Sequence, residues 1–289
     1  MIRAPARLLL GLCLALLLAG QAMAQATFSD GGSLEIIAEE GIEWQREEQV
    51  YLARGNAVAR RDDMTVRAQV LAAHYRRDDE GQERIIRVEA IGGVIVETAN
   101  ERMTGDRAIY YVDERSFRVT GDDLRLETDT EVVTAEESLE YFEAAEGGPL
   151  AVARGNAVLR RPAAGEEVRG EVISARFSGT DGPSRESLVE VQAEGGIEVS
   201  SDSVVARGAR GVYYAAEQTA VLDGDVKVTR GQTQLNGERA EIDLRTGVSR
   251  LLAGEGTPVR GLLSQDDLPG DDVPGDDVSG DEPAEGESE

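Results

Sequence analysis

Few side chains in this sequence could carry out covalent chemistry. His74 is the only histidine and lies beside Tyr75 in AAHYRR, and the only cysteine, Cys13, lies in the apolar N-terminal segment. The sequence contains no G-x-S-x-G elbow, no H-E-x-x-H motif and no phosphate-binding glycine loop. We therefore expect no catalytic residue, no metal site and no cofactor, and we predict that the protein is not an enzyme.

Neighbouring carboxylates are the remaining candidates for acid-base chemistry. Asp62-Asp63, Asp78-Asp79-Glu80 and Asp122-Asp123 lie where turns are expected. Because two carboxylates can hydrolyse a glycosidic bond, a β-rich carbohydrate enzyme is a formal alternative. Such enzymes usually stack sugars on aromatic rings, whereas Trp44 is the only tryptophan and aromatic residues make up 4% of this chain. The composition therefore favours a non-enzymatic protein.

The N-terminal segment indicates export. Arg3 and Arg7 precede the apolar run Leu8–Ala19, which is followed by the small triplet Ala22-Met23-Ala24. This order is typical of a secretory signal peptide, predicted here for residues 1–24. The apolar run is shorter than the roughly 20 residues of a membrane-spanning helix, so a retained anchor is the less favoured alternative.

The other end is strongly acidic. Gln265–Glu289 contains eleven acids and no base, so residues 263–289 are predicted to form a disordered tail. The whole chain carries −26, and without Arg3, Arg7 and the tail acids the remainder carries −17. Such a surface repels a phosphate backbone, which excludes nucleic acid as a partner.

The region between the two ends contains an internal repeat. ARGNAV occurs at Ala53–Val58 and again at Ala153–Val158. Aligning the two copies also pairs GDRAIYYV with GARGVYYA and VTGDDLRL with VLDGDVKVT. We therefore expect one β region over residues 25–262, built from two units of roughly 100 residues at about 50–150 and 151–260.

The polarity of the repeated segments predicts strands. In VEVQAEGGIEVS, apolar and polar residues alternate on either side of a glycine pair, which is typical of a strand with one buried face. Ala135–Ala145 has helical propensity, but its place in the repeat favours a strand. Motifs with Gly or Gly-Asn/Asp recur and are interpreted as turns, with room for about three short strands between them. These glycines are Gly55, Gly93, Gly121, Gly155, Gly196, Gly224 and Gly256.

The order of these motifs resembles a known family. GNAVARR, TGDRAIYY, DGDVKVT and NGERAEIDL, behind a signal peptide, are similar to the repeated strands of the LptA/OstA family of lipopolysaccharide-transport proteins. The resemblance covers nearly all of residues 35–260. It implies an all-β fold, an open β-jellyroll in which two facing antiparallel sheets form a V-shaped trough. It also implies a periplasmic carrier or bridge protein for lipopolysaccharide.

The family resemblance also implies partners. LptC-like and LptD-like envelope proteins would pair with the edge strands of the jellyroll, and further copies of the chain could add head to tail. The segments expected at the edges are Ser33–Trp44 and Arg250–Val259. An LptC-like role with a retained anchor remains an alternative.

In such a trough, the acyl chains of lipid A would lie against inward-facing aliphatic side chains, because each methylene exposed to water costs about 0.8 kcal/mol. The predicted lining residues, each of which could equally be ordinary core, are Ile86, Val88, Val94, Val96, Val189, Val191, Ile197, Val199, Val226 and Val228. The arginines that could contact head groups, or pair with nearby acids, are Arg54, Arg107, Arg154 and Arg210.

The repeats alone also permit a different class of protein, a structural or adhesive β-solenoid that binds a polymer or a protein partner along its sides. A solenoid is packed dry through its middle. A carrier has an open apolar cleft, so the presence of such a cleft distinguishes the two interpretations.

Overall fold

The computed structural model describes residues 35–61, 64–78, 81–178, 187–246, 248–256 and 258–263. Within these ranges the chain forms β-strands and one turn of 3-10 helix at Pro162–Ala164, and no α-helix. The predicted signal peptide and the acidic tail beyond Leu263 lie outside the described residues. Among the carboxylate clusters, residues 62–63 and 79–80 also lie outside them.

The strands are of two kinds, long strands of 11–15 residues and short strands of 3–5 residues. In the first half they are β1 (Glu35–Ile37), β2 (Gly41–Gln45), β3 (Val50–Arg61), β4 (Met64–Arg77), β5 (Glu83–Glu97), β6 (Glu101–Tyr111), β7 (Ser116–Thr120), β8 (Leu124–Thr128) and β9 (Val132–Ala135). In the second half they are β10 (Ser138–Phe142), β11 (Leu150–Arg161), β12 (Glu166–Ser178), β13 (Ser187–Ser200), β14 (Val204–Tyr214), β15 (Thr219–Arg230), β16 (Thr233–Asp243), β17 (Val248–Leu252) and β18 (Arg260–Leu262).

All pairings are antiparallel, and the strands belong to one hydrogen-bonded sheet. The long strands follow one another as hairpins, from β3 to β6 and from β11 to β16. Between these two series, β7 and β8 pair with different halves of β6, and β10 and β9 pair with different halves of β11. At the ends of the sheet, β1 and β2 pair with β3, and β17 and β18 pair with β16.

This pairing divides the sheet into two layers. Layer A contains the short strands β2, β7, β10 and β17. It also contains the half of each long strand that is hydrogen-bonded in the same layer, such as Val50–Arg54 of β3. Layer B contains β1, β8, β9, β18 and the other halves, such as Ala57–Arg61. Each long strand therefore crosses from one layer to the other. The prediction of an all-β open jellyroll with two facing antiparallel layers is confirmed, and the two layers are halves of one continuous sheet.

In every second long strand, namely β3, β5, β11, β13 and β15, the crossing point is a bend built from two successive residues with positive φ. In β11 these are Gly155 (φ 80°) and Asn156 (φ 43°), and the register against β12 shifts between Arg154 and Ala157. Glycine adopts this conformation without a steric penalty, and the extra residue bends the strand while it stays in the sheet. The equivalent pairs are Gly55-Asn56 in β3, Gly92-Gly93 in β5, Gly195-Gly196 in β13 and Gly224-Asp225 in β15.

The interpretation of these glycines as turns between short strands was wrong for the five that lie inside long strands, Gly55, Gly93, Gly155, Gly196 and Gly224. Gly121 does lie between the short strands β7 and β8, and Gly256 lies in a turn. Gly55 and Gly155 lie in the middle of strands of 12 residues, and Gly196 lies within a strand of 14 residues. A positive φ is equally compatible with a turn and with a bulge inside a long strand, so the residue types alone do not separate the two. By contrast, the prediction of strand over the helix-prone segment Ala135–Ala145 is confirmed by β10.

A hydrogen-bonded clasp explains why ARGNAV occurs twice. At the second copy, the backbone N–H of Glu136 donates to the carbonyl oxygen of Gly155 at 2.7 Å, and that of Glu137 donates to Arg154 at 3.0 Å. The Asn156 amide nitrogen donates to Glu136 Oε2 at 2.8 Å. The bend in β11 is thus held by the break between β9 and β10.

The first copy makes the same contacts with the break between β1 and β2. Glu39 N–H donates to the Gly55 carbonyl at 2.9 Å, and Glu40 N–H donates to the Arg54 carbonyl at 3.0 Å. The Asn56 amide donates to Glu39 Oε2 at 2.9 Å. The repeated sequence therefore encodes a repeated bend.

The core lies between the two layers and includes residues on both sides of the bends. Ala53 and Ala57 flank the first bend, and both are buried. Register partners continue each of these inward rows from strand to strand. In layer A one row is Ala53, Leu71, Ala90, Ala108, Val119, Leu139, Ala153, Ile173, Ala193, Gly211, Leu222 and Ala240. In layer B the facing row is Ala59, Val66, Val96, Met103, Leu126, Val133, Leu159, Val168, Val199, Ala206, Val228 and Leu235.

Candidate functional site

An open apolar cleft lies between the two layers in the part of the protein formed by β11–β16. It encloses about 560 Å³, counting the space that is open to solvent. From layer A it is lined by Val191, Ala193, Gly211, Val212, Tyr213, Ala220, Val221, Leu222 and Ile242, and from layer B by Leu159, Val168, Ile197, Val199 and Ala206. The phenol hydroxyl of Tyr213 is the only polar side-chain group in this lining.

The strand register places four residues of the layer A wall side by side on neighbouring strands. Val191 pairs with Tyr213, Tyr213 with Ala220, and Ala220 with Ile242, so one position on each of four neighbouring strands faces the cleft. These residues lie one inward row further from the bends than Ala193 and Leu222. Tyr213, Ala220 and Ile242 are themselves buried, and Val191 packs against them in a small hydrophobic cluster separate from the main core.

Three of the ten predicted lining residues lie on the cleft, namely Val191, Ile197 and Val199. The others take several positions. Val94, Val226 and Val228 are buried in the core, and Val96 is partly buried against it. Ile86 and Val88 are half-buried in the first repeat unit, and Val189 is 41% exposed at a register shift between β12 and β13.

Several lining residues were missed from the sequence. Tyr213 and Ala220 belong to the GVYYA segment and to the strand that follows it, and Leu159 follows the second ARGNAV copy. The signal that could have identified Tyr213 is its place in the alignment with GDRAIYYV. A tyrosine in an alternating strand gives no indication, however, of whether it faces another layer or open space.

The repeated arginines lie on the opposite face of the strands. Arg54 and Arg154 follow Ala53 and Ala153, which point inward, and so they point outward from layer A. Each repeated arginine has an acidic partner. The pairs are Arg54 with Glu43, Arg107 with Glu89, Arg154 with Glu140 and Arg210 with Asp223. These arginines therefore do not line the cleft.

His74 also lies on the outer face of layer A. Its Nε2 is 3.5 Å from Glu89 Oε1 and 3.2 Å from an Arg87 guanidinium nitrogen. Burial, and then the charge of Arg87, lower the pKa of His74 although Glu89 opposes this shift. The described residues contain no group of three or more His, Cys, Asp or Glu side chains that could hold a metal ion.

Trp44 lies on the edge strand β2, away from this cleft. Its ring stacks on Tyr51 with a centroid distance of 5.6 Å, and its Nε1 donates to the Tyr75 hydroxyl at 2.9 Å. It remains 44% exposed. Trp44 thus belongs to a small aromatic cluster at one end of the sheet.

A polar cluster borders the cleft on its layer B side. Arg161 lies two residues beyond Leu159 on β11, and Glu166 lies two residues before Val168 on β12, so both continue inward-facing positions. Arg161 pairs with Glu131 at 3.4 Å and with Glu166 at 3.5 Å. This cluster of Arg161, Glu131 and Glu166, which we term the rim cluster, places two carboxylates and one guanidinium beside an apolar space.

Burial dominates the electrostatics of the rim cluster. Desolvation raises the pKa of Glu131 and of Glu166, although Arg161 opposes both shifts. Desolvation also raises the pKa of Tyr213 on layer A, and Arg161 opposes that shift as well. Arg161 of layer B therefore lies within electrostatic reach of Tyr213 of layer A.

The raised pKa of Glu166 predicts a pH dependence of stability. Because the folded state binds this proton more readily than the unfolded state, ionised Glu166 lowers the free energy of unfolding above its folded pKa, and this loss is recovered as the pH falls. Glu166→Gln should therefore raise the melting temperature at pH 7, and the gain should shrink towards pH 4.5. Melting curves at several pH values test this, with Arg161, Glu131 and Tyr213 unchanged.

Glu167→Gln is the matched control for this prediction, since Glu167 lies on the other face of β12. Burial opposes ionisation of Glu167, but hydrogen bonds from Arg160 and Arg169 lower its pKa. Its contribution to stability is present above the unfolded pKa and is lost as the pH falls through the folded pKa. Glu167→Gln should thus lower the melting temperature at pH 7. Equal shifts in the two variants would contradict the assignment.

No segment of the described residues forms a helix with the length and apolarity needed to cross a membrane.

Comparison with known proteins finds a matching family and similar solved structures. Residues 167–248 match the family described as LptA/(LptD N-terminal domain) LPS transport protein. No curated protein sequence matches the chain. Among solved structures, the chain is similar to LptH, the LptA homologous periplasmic component of the lipopolysaccharide transport device from Pseudomonas aeruginosa. The two sequences are 10% identical, the match covers 80% of this chain and 95% of that chain, and the TM-score is 0.21.

Because this TM-score is low, the fold is assigned from the strand pairing of this chain and not from the similarity to LptH. The family match covers β12–β16 almost entirely, and these strands supply most of the cleft lining. The match over residues 167–248 supports the predicted resemblance to the LptA/OstA family for that part of the chain.

Proposed function

We propose that this protein is a periplasmic carrier or bridge for lipopolysaccharide on its way to the outer membrane, and that it shields acyl chains in the cleft between its layers. The proposal includes export by a cleaved signal peptide over residues 1–24. It includes no catalytic step. The family description and the apolar cleft both support it.

The observation that carries the proposal is the chemistry of the cleft. An acyl chain gains about 0.8 kcal/mol for each methylene that leaves water, and fourteen residues with a single polar side-chain group form the walls. A cleft that is open along one side can hold the chains while a bulky sugar head group stays in solvent. A β-solenoid packed dry through its middle would have no such cleft.

The ends of the sheet are the proposed docking sites for LptC-like and LptD-like proteins, and for further copies of the chain. At one end, Ile37 and Ile42 are 45% and 55% exposed on β1 and β2. At the other end, Val248 and Leu262 are 49% and 69% exposed on β17 and β18. Exposed apolar side chains on terminal strands favour pairing with a strand of another chain.

Site-specific photo-crosslinking tests the proposed function. A photoreactive residue at Val191, which is half-buried and lines the cleft, should crosslink to lipopolysaccharide. The matched control is Val205, a half-buried valine on the face of β14 opposite to that of Ala206. Crosslinking from Val191 and not from Val205 is expected. Equal yields from both positions, or none from Val191, would contradict a carrier that uses this cleft.

A further inference from the structure

One oxygen of a buried carboxylate beside the cleft lacks a hydrogen-bond donor. The side chain of Glu166 is 7% exposed, and its Oε2 accepts no hydrogen bond from the described residues. The nearest cationic atom is Arg161 Nη1 at 3.5 Å. A buried acceptor without a donor destabilises the folded state by about 1–3 kcal/mol. A ligand that supplies a donor at this position would therefore recover free energy.

Glu166 is placed to meet a ligand in the cleft. It shares the inward face of β12 with Val168, which lines the cleft, and Arg161 shares the inward face of β11 with Leu159, which also lines it. Arg161 and Glu166 are register partners. The rim cluster therefore continues the apolar wall outward, where the polar end of a bound acyl chain would lie.

The charge of the rim cluster restricts the chemistry of that polar group. Glu131 and Glu166 both pair with the guanidinium of Arg161. An anionic ligand group at this position would therefore meet two negative charges and one positive charge. A bare carboxylate or phosphate is thus disfavoured. A neutral hydroxyl or amide N–H can donate to Glu166 Oε2 and has no such repulsion, and hydrogen bonds to a charged acceptor are the stronger ones.

We propose that Glu166 accepts a hydrogen bond from a hydroxyl or amide N–H donor carried by the acyl ligand near its polar end. Glu166 then acts as a specificity residue that selects acyl chains with such a donor over plain chains. This inference rests on the proposed function, since it requires that the cleft takes up acyl chains.

Competition against a fluorescent apolar probe tests the inference. The purified protein is loaded with N-phenyl-1-naphthylamine, which is displaced by methyl tetradecanoate, by methyl 3-hydroxytetradecanoate or by tetradecanoate. The measured quantity is the ratio of the affinities of the hydroxylated and plain esters. The expected ratio is about ten in favour of the hydroxylated ester, which corresponds to ~1.4 kcal/mol.

Two substitutions at Glu166 and one control substitution are compared by this affinity ratio. Glu166→Gln keeps a neutral acceptor and should reduce the ratio to about three, whereas Glu166→Leu has no acceptor and should reduce it to about one. Glu167→Gln changes a carboxylate on the other face of β12 and should leave the ratio at about ten. Because each ratio compares two ligands on one variant, a general loss of stability does not imitate the result.

The possible outcomes separate this inference from the proposed function. If the plain ester displaces the probe but the ratio is near one in the unsubstituted protein, the inference is wrong and the carrier function stands. A preference for tetradecanoate over both esters would also overturn it, because Arg161 would then act as an anion site. If no compound displaces the probe, the cleft does not take up acyl chains and both proposals fail.

Discussion

Gly155→Ala is expected to lower the free energy of unfolding by about 2–6 kcal/mol. Gly155 has φ +80°, a conformation that costs an L-residue about 1–3 kcal/mol. An added Cβ would also lie 2.5 Å from Glu137 Cγ and 2.9 Å from the Glu137 backbone nitrogen. Relieving such overlap typically costs a further 1–3 kcal/mol. The backbone of Glu137 cannot move away without breaking its hydrogen bond to Arg154.

Gly196→Ala is the matched control for this substitution. Gly196 has φ +78° at an equivalent bend of β13, but an added Cβ would meet nothing within 4 Å. It should therefore show the cost of the backbone conformation alone, and the difference between the two variants is the cost of the clash. Urea denaturation with equal m-values would measure both. Equal losses in the two variants would mean that the clasp between Gly155 and the β9–β10 break does not hold the bend.

The strand class and the repeat could be predicted because both are properties of local sequence. Alternation around Val191 and Val199 specified which side chains share a face, and ARGNAV marked two equivalent positions. The role of ARGNAV as a bend could not be predicted, since Gly155 and Asn156 with positive φ are also the signature of a turn. Only the pairing of β11 with β9 and β10 separates the two interpretations.

The position of the cleft could not be read from the same pattern. Val88 pairs with Tyr110 in the first unit as Val191 pairs with Tyr213 in the second, so the two pairs are equivalent in sequence. Whether such a pair lines a cleft depends on how far the layers diverge, which no local motif encodes. Val189 illustrates a second limit, because the register shift between Arg176 and Phe177 interrupts the alternation there.

The pairing of the repeated arginines has a consequence for how an anionic lipid would be held. Arg54 and Arg154 lie on the outer face with acidic partners, and the rim cluster contains more carboxylates than cations. Attraction between this protein and its proposed ligand must therefore come chiefly from apolar contact inside the cleft. Substitutions that fill the cleft should accordingly affect binding far more than substitutions of these arginines.

Val191→Trp is therefore expected to weaken binding of N-phenyl-1-naphthylamine or of an acyl chain by at least tenfold. Val191 is half-buried and lines the layer A wall, so an indole there would occupy the space between the layers. Excluding only two methylenes of a ligand costs about 1.6 kcal/mol, which is already more than tenfold in affinity. The outward-facing Arg154 and Arg210 should contribute little by comparison.

Val88→Trp provides the control, because Val88 is half-buried and has the same register relation to a tyrosine but does not line this cleft. Both variants introduce the same large aromatic side chain at the same place in the repeat, so their effects on folding should be similar. Fluorescence titration of both proteins, with melting temperatures measured in parallel, separates binding from stability. Acyl chains gain free energy only where they leave water, so the variant that loses binding marks the site. If binding survived in Val191→Trp and were lost in Val88→Trp, the ligand would lie in the first repeat unit. That result would contradict the cleft formed by β11–β16 as the carrier site.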